Sequence, residues 1–242
     1  IMVGIMEWKA EKGRRVRVER DWLLGLPCQR ATVPVREGMR ERTRLRRVAR
    51  GARELVRRGV RRVLTQAEFP CWEALEEAGL RSVETEAFCQ MLAPALALAA
   101  LRCRDRKPER AAVLLSGPEV SPALFRAAEQ LCSQVRDLVV DAGEEGEELA
   151  AWLRAEFGAA VRPPDRVEAD VTLCFGPSAA EGETVFRLYG PIPDLAGFLP
   201  AIRGKTLPSG LDRLPLLALL WEEGRISQEQ LNVLPPNTKL LT

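Results

Sequence analysis

Hydrophobic and polar residues alternate most regularly between residues 111 and 175. Short apolar runs there are separated by longer segments in which apolar residues recur every three or four positions. The runs predict strands at 111–115, 137–140, 159–162 and 171–175, and the segments between the first three strands predict amphipathic helices. Apolar strands that alternate with helices are typical of a parallel sheet covered on both faces. The pattern therefore predicts an α/β fold with a mostly parallel, doubly wound sheet.

The first half of the chain shows the same alternation less regularly. The pattern predicts a helix at 40–58, a strand at 60–64, a short helix at 70–78, a strand at 81–84 and helical structure at 86–102. Pro94 lies inside the last of these segments, and proline in a helix interior costs about 3 kcal/mol, so two helices are expected there. One more strand is predicted at 184–188.

The two ends of the chain depart from this alternation. Apolar and charged residues alternate around Val16, and Glu11-Lys12-Gly13 offers a turn, which predicts an N-terminal β-hairpin. We expect this hairpin and an irregular lead-in to occupy residues 1–34, a first α/β half 35–108, and a second half 109–190. Residues 191–242 are expected to form a mainly helical tail that packs on the core.

Residues 111–175 resemble a Rossmann-like unit in their order of strands and helices, although the G-x-G-x-x-G loop of dinucleotide-binding proteins is absent. In such sheets, ligands bind outside the carboxyl ends of the strands. The resemblance therefore implies a ligand site at the strand ends and helix starts. The candidate ligand-binding residues at these positions are Ser116, Gly117, Ser121, Asp141, Gly143 and Gly176.

The loop after the first of these strands has the wrong chemistry for a pyrophosphate. Pro118 and Pro122 lack the backbone N–H groups that form a phosphate cradle, and Glu119 adds a negative charge. Asp141, in contrast, stands about where a ribose-binding acid is found in a Rossmann unit. We predict no cofactor, with NAD(P) or another adenine nucleotide as the alternative.

Composition narrows the chemistry further. The chain contains no histidine, which excludes Ser-His-Asp and Cys-His catalysis and histidine-ligated metal sites. Its cysteines never form C-x-x-C, so no metal site is predicted. Cys71 follows Pro70 at a predicted helix start, where the helix dipole can activate a thiol. Because Glu68 and Glu73 oppose that effect, a packed, inert thiol is the preferred interpretation.

Two segments allow both a structural and a partner-binding interpretation. Residues 36–62 contain twelve arginines, which suit phosphate, but no aromatic residue that could stack on a base. An ion-paired, solvated helix face is preferred there over a nucleic-acid surface. The apolar segment Leu214–Trp221 predicts either the last core helix, which is preferred, or the seam of a homodimer.

These features favour a non-enzymatic, Rossmann-like protein that binds a small ligand or a protein partner. The first alternative is a nucleotide-dependent enzyme, oxidoreductase-like, with an atypical phosphate loop. The second is an RNA- or DNA-associated protein that uses the Arg36–Arg62 helix. A cytoplasmic location is expected, because no signal peptide and no apolar run of about 20 residues is present.

Overall fold

The computed structural model describes residues 2–11, 13, 15–164, 168–180, 182–236 and 238. The strands are β1 (Val3–Ala10), β2 (Arg17–Leu23), β3 (Leu26–Val35), β4 (Arg62–Thr65), β5 (Ala112–Ser116), β6 (Asp137–Asp141), β7 (Val161–Arg162), β8 (Val171–Cys174), β9 (Val185–Arg187), β10 (Leu199–Ile202) and β11 (Leu231–Leu234). The helices are α1 (Glu41–Arg57), α2 (Trp72–Glu76), α3 (Glu86–Met91), α4 (Ala93–Cys103), α5 (Pro122–Leu131), α6 (Gly143–Phe157) and α7 (Arg213–Glu222).

The chain forms two compact units, each built from two stretches of sequence. Unit 1 contains the described residues up to Glu84 together with Thr206–Arg225, and so includes β1–β4, α1, α2 and α7. Unit 2 contains Thr85–Lys205 and the described residues from Ile226 onward, and so includes the other strands and helices.

The sheet of unit 1 has the strand order β2-β3-β1-β4. The central strand β1 is parallel to both of its neighbours, whereas β2 is antiparallel to β3. The chain leaves β3, passes through α1 and returns on the other side of β1 as β4, so the direction of winding reverses at β1. One face of α1, formed by Val48, Gly51, Ala52 and Leu55, is buried, and it belongs to the same core as the sheet residues Met6 and Val33.

The N-terminal hairpin is present, but its position differs from the prediction. It is formed by β2 and β3, and its turn is Leu24-Gly25, where both residues have positive φ (49° and 86°) as in a type I′ turn. The expected turn at Glu11-Lys12-Gly13 is wrong as a hairpin turn, because β1 pairs with β3 and β4; Lys12 itself lies outside the described residues.

The irregular lead-in expected within residues 1–34 is also wrong, since Leu26–Val35 form β3. Pro27 and Pro34 do not interrupt this strand. They lie near the two ends of β3, where the absence of a backbone N–H interrupts few ladder hydrogen bonds.

Unit 2 confirms the predicted α/β class. Its five-stranded sheet is parallel throughout and has the strand order β7-β6-β5-β8-β9. Starting from β5, the chain adds β6 and β7 on one side and then β8 and β9 on the other, which is the strand order of a Rossmann-like sheet. The region 86–102 is divided into α3 and α4, as Pro94 predicts, and this proline lies in the first turn of α4.

The tail beyond residue 190 contains one α-helix, α7, in its described part, together with two strands. The apolar residues 216–220 of α7 are all buried within the single chain. The strands β10 and β11 pair with each other in an antiparallel ladder. No helix among the described residues is both long enough and apolar enough to span a membrane.

Candidate functional site

The strand order of unit 2 brings several of the predicted site residues to one edge of the sheet. Ser116 ends β5 and is in register with Asp141 on β6 and with Cys174 on β8. Gly117 follows directly on β5, and Gly176 lies two residues after the end of β8. The winding of the chain reverses between these two strands, so this is the crevice in which a Rossmann-like sheet binds its ligand.

This crevice is filled by the chain itself. A Cβ atom added to Gly176 would lie 2.5 Å from Cδ of Pro118, so the proline ring packs directly on the glycine backbone. The Ser116 side chain is buried, and its Oγ lies 2.7 Å from Oγ of Ser178. The carboxyl ends of β5 and β8 therefore hold a packed turn.

The backbone N–H groups of the loop between β5 and α5 are also used internally. Val120 N–H donates to Oε2 of Glu145 over 2.9 Å, and Ser121 N–H donates to the carbonyl oxygen of Glu119. Ser121 Oγ accepts from Leu124 N–H over 3.1 Å, so Ser121 is the N-cap of α5. These contacts do not fit a dinucleotide pyrophosphate. The Val120 N–H already donates a hydrogen bond to the Glu145 carboxylate, and the two prolines in the same loop have no N–H to donate.

Asp141 and Gly143 lie at the start of the next loop. Asp141 is exposed, and its side chain has no hydrogen bond or ion pair with any residue that the structure describes. Its carbonyl oxygen accepts from Gly117 N–H over 3.0 Å. Gly143 has a φ of 62° and begins α6, a conformation in which glycine is favoured. Asp141 is thus the one predicted site residue whose polar side chain is open to solvent and unused.

Cys71, the candidate reactive thiol, lies in unit 1 and is only 3% exposed. Burial raises the pKa of its thiol, and the nearby Arg44 guanidinium opposes this only in part. The residue precedes α2, which has five residues and is too short for a substantial helix dipole. These surroundings favour the protonated thiol, which is the less nucleophilic form.

Fewer arginines of α1 form ion pairs than the predicted ion-paired helix face requires. Glu54 pairs with Arg57 and Arg58, and Arg47 donates to backbone carbonyl groups. A row of exposed arginines runs along the helix and consists of Arg42, Arg46, Arg50, Arg53 and Arg57. The first three of them have no carboxylate within 4 Å among the described residues.

The carboxyl edge of the unit 1 sheet contains two cavities that the sequence did not predict. The smaller one, about 120 Å³, adjoins the end of β4 and is lined by Thr65, Gln66 and Asp212 among others. Asp212 caps α7 by accepting from Leu214 N–H, and its own N–H donates to Thr65 over 2.8 Å. Burial raises the pKa of the Asp212 carboxyl, and the hydrogen bond from Leu214 opposes that shift.

The larger cavity, about 310 Å³, adjoins the carboxyl ends of β1 and β3. Its apolar lining is formed by Trp8, Ala10, Val35 and Met39, and its charged lining by Arg36, Glu37 and Arg44. The Arg44 guanidinium carbon lies 5.2 Å from the centre of the Trp8 ring, which packs in turn against Phe69. The sequence pattern does not indicate this site, because it predicts β1 as part of a hairpin and not as a parallel strand whose carboxyl end could bind a ligand.

Comparison with known proteins gives a likeness of fold alone. No family model matches the chain, and no curated protein matches it. L-tryptophan dehydrogenase from Nostoc punctiforme aligns with 71% of this chain at 13% identity and a TM-score of 0.30, and this chain spans only 55% of that protein. Quinate dehydrogenase from Corynebacterium glutamicum, solved in complex with NAD, aligns with 72% of this chain and 70% of its own at 13% identity and a TM-score of 0.26.

Proposed function

We propose that this protein is a non-enzymatic binding protein whose ligand is a small molecule or a protein partner. In this proposal the Rossmann-like sheet of unit 2 is a scaffold and not a dinucleotide site. The observation that supports the proposal best is the hydrogen bond from Val120 N–H to the Glu145 carboxylate. It places a negative charge of the chain on a backbone donor of the loop that receives phosphate in nucleotide-binding members of this fold.

The charge and the packing of that loop act in the same direction. A pyrophosphate would have to displace Glu145 and would meet the repulsion of a neighbouring carboxylate. It would also have to move Pro118 away from Gly176. Because buried contacts and hydrogen bonds would both be lost, nucleotide binding in the usual mode is disfavoured on energetic grounds.

Asp141 is the observation that favours the nucleotide-dependent alternative. Its free, exposed carboxylate belongs to the last residue of β6, the second strand of the unit, and a ribose hydroxyl is bound near this position in dinucleotide-binding proteins. This one residue supports ribose binding, whereas the loop around Val120 opposes phosphate binding. The two interpretations therefore predict opposite results in one assay.

That assay measures the binding of NAD, NADP, FAD and ATP to the purified protein by thermal shift and by isothermal titration calorimetry. A ligand at 100 times its Kd stabilises the folded state by about 2.7 kcal/mol, which gives a clear thermal shift. We expect no stabilisation of the wild-type protein by any of the four nucleotides. Stoichiometric binding that Asp141→Ala abolishes would contradict the proposal and establish the nucleotide site, and Glu144→Ala, a change of a neighbouring acid, is the matched control.

A second candidate function, binding of a nucleic acid, is favoured by the arginine row on α1. Successive members of this row, from Arg42 to Arg46 to Arg50, are four residues apart, so they recur about every 6 Å along the helix. No aromatic residue in α1 offers a base-stacking surface, so contacts would be made with phosphates and would not depend on base sequence.

Fluorescence anisotropy with a labelled mixed-sequence RNA tests this second candidate. If it is correct, binding at low salt weakens steeply with rising salt concentration, and the combined change of Arg42, Arg46 and Arg50 to Gln reduces the affinity about 10-fold or more. Changing Arg15, Arg20 and Arg61 to Gln in one variant removes the same charge elsewhere in unit 1 and serves as the control. Equal losses in both variants, or no binding at low salt, would eliminate the candidate.

A further inference from the structure

Arg44 is a half-buried arginine of unit 1 that has no carboxylate partner. Arg30 forms ion pairs with Glu7 and Asp21, and Arg62 forms ion pairs with Glu222 and Glu223. Arg44 has no carboxylate within 4 Å among the residues that the structure describes. A guanidinium group that is partly withdrawn from water without a counter-ion is unfavourable, so Arg44 is a group that an anion would stabilise.

Two hydrogen-bond donors at the same place also lack acceptors. The Nε atom of Arg44 and the Nε1 atom of Trp8 are both buried and have no hydrogen-bond partner. Both residues line the 310 Å³ cavity, and the Arg44 guanidinium stacks over the Trp8 ring. Unsatisfied buried donors are uncommon in folded proteins, and two of them beside one cavity indicate that an oxygen acceptor is missing.

The rest of the lining defines the kind of molecule that would supply this acceptor. Ala10, Val35 and Met39 offer an apolar wall to the body of a ligand. The charges of Arg36 and Glu37 in the same lining offset each other, so with Arg44 the lining has a formal charge of about +1, which suits a carboxylate better than a dianionic phosphate ester. A volume of 310 Å³ is at the lower end of ligand pockets, so the ligand is small.

We propose that this cavity binds a small organic carboxylate, with its anionic head on Arg44 and its apolar body against Trp8, Val35 and Met39. The site lies at the carboxyl ends of the parallel strands β1 and β3, which is the position where parallel sheets bind ligands. The guanidinium fork matches a carboxylate with two parallel hydrogen bonds. This inference names the ligand of the binding role proposed above and rests on that proposal.

The test is isothermal titration calorimetry with 3-phenylpropionate and 4-methylvalerate, together with the total tryptophan fluorescence of the protein. Phenyl phosphate and 3-phenylpropionamide provide the dianionic and the neutral comparisons. We expect the two carboxylates to bind, and the amide and the phosphate to bind about 10-fold or more weakly. Arg44→Gln should reduce carboxylate affinity roughly 10- to 100-fold, and Arg44→Lys should reduce it less, because it keeps the charge and loses the fork.

Arg46→Gln is the matched control, since Arg46 lies on the same helix, is exposed and does not line the cavity. Met39→Trp fills the cavity while keeping Arg44, and it should abolish binding even if Arg44→Gln fails to fold. No binding of either carboxylate at millimolar concentration would overturn the site, as would binding that Arg44→Gln and Met39→Trp leave unchanged. Binding of NAD that depends on Asp141 would overturn the non-enzymatic function instead, so the two failures are distinguishable.

Discussion

The two units differ in how many of the polar groups at the carboxyl ends of their parallel strands are already used in contacts within the chain. In unit 2 the edge carries the residues that the sequence marks as a ligand site, yet Pro118 packs on Gly176 and Glu145 accepts from the loop N–H of Val120. In unit 1 the edge carries no recognisable motif, yet it contains two cavities and an arginine without a counter-ion. The edge that the sequence marks as a ligand site is closed, and the edge that it does not mark is open.

This difference shows that strand order predicts where a binding site would lie, but not whether that place is open to a ligand. The location follows from backbone topology, because parallel strands leave their last polar groups at one edge. Whether the place is open depends on side chains that reach the edge from elsewhere in the sequence. Glu145 reaches Val120 across 25 residues, and no local pattern in either segment indicates that pairing.

The largest effect is expected from adding one carbon atom at the closed edge. Gly176→Ala would place a Cβ atom 2.5 Å from Cδ of Pro118, and such overpacking typically costs about 1–3 kcal/mol of unfolding free energy. Urea denaturation followed by circular dichroism measures this cost. At the open edge, Ala10→Val adds two carbon atoms beside the 310 Å³ cavity, and it should change the free energy by less than about 0.5 kcal/mol.

Pro118 provides an internal control for this comparison. If the cost of Gly176→Ala arises from the contact with the proline ring, it should be smaller when Pro118→Ala is also present, by an interaction energy of about 0.5–3 kcal/mol. Equal costs in both backgrounds would mean that the ring does not close the crevice. Equal costs at Gly176 and Ala10 would remove the distinction between a closed and an open edge.

Local sequence signals predicted unit 2 well because each of its main strands and helices has an apolar pattern of its own, and their order is typical of a parallel sheet. The strands predicted at 111–115, 137–140 and 171–175 all lie within one or two residues of their observed positions. Unit 1 was predicted less well because the turn expected at Glu11-Lys12-Gly13 placed the first strand in a hairpin, whereas β1 pairs in parallel with β3 and β4. Trp8 and Arg44 therefore had no predicted neighbour, although each lies in a segment whose own pattern is clear.

Asp212, the N-cap of α7, tests the comparison at the carboxyl edge of unit 1, and a smaller change in unfolding free energy is expected there. Burial raises the pKa of the Asp212 carboxyl above its ordinary value of 3.8, so the charged form is disfavoured in the folded state. Asp212→Asn keeps an acceptor for Leu214 N–H and removes the charge. We expect it to raise the free energy of unfolding at pH 7 by a few tenths to about 1 kcal/mol.

The pH dependence of the stability difference between Asp212→Asn and the wild-type protein tests whether the buried charge is its cause. A carboxyl group with a raised folded-state pKa contributes stability below its unfolded pKa of 3.8 and loses that contribution as the pH rises through the folded value. The difference between Asp212→Asn and the wild-type protein should therefore be largest at pH 7 and decrease as the pH falls toward 3.8. Asp141→Asn, at an exposed position on the edge of unit 2, is the matched control and should change the free energy at pH 7 by less than about 0.5 kcal/mol. A loss of stability in Asp212→Asn at pH 7 would show that the charged carboxylate stabilises this edge, which would then be closed by its own polar contacts in the same way as the edge of unit 2.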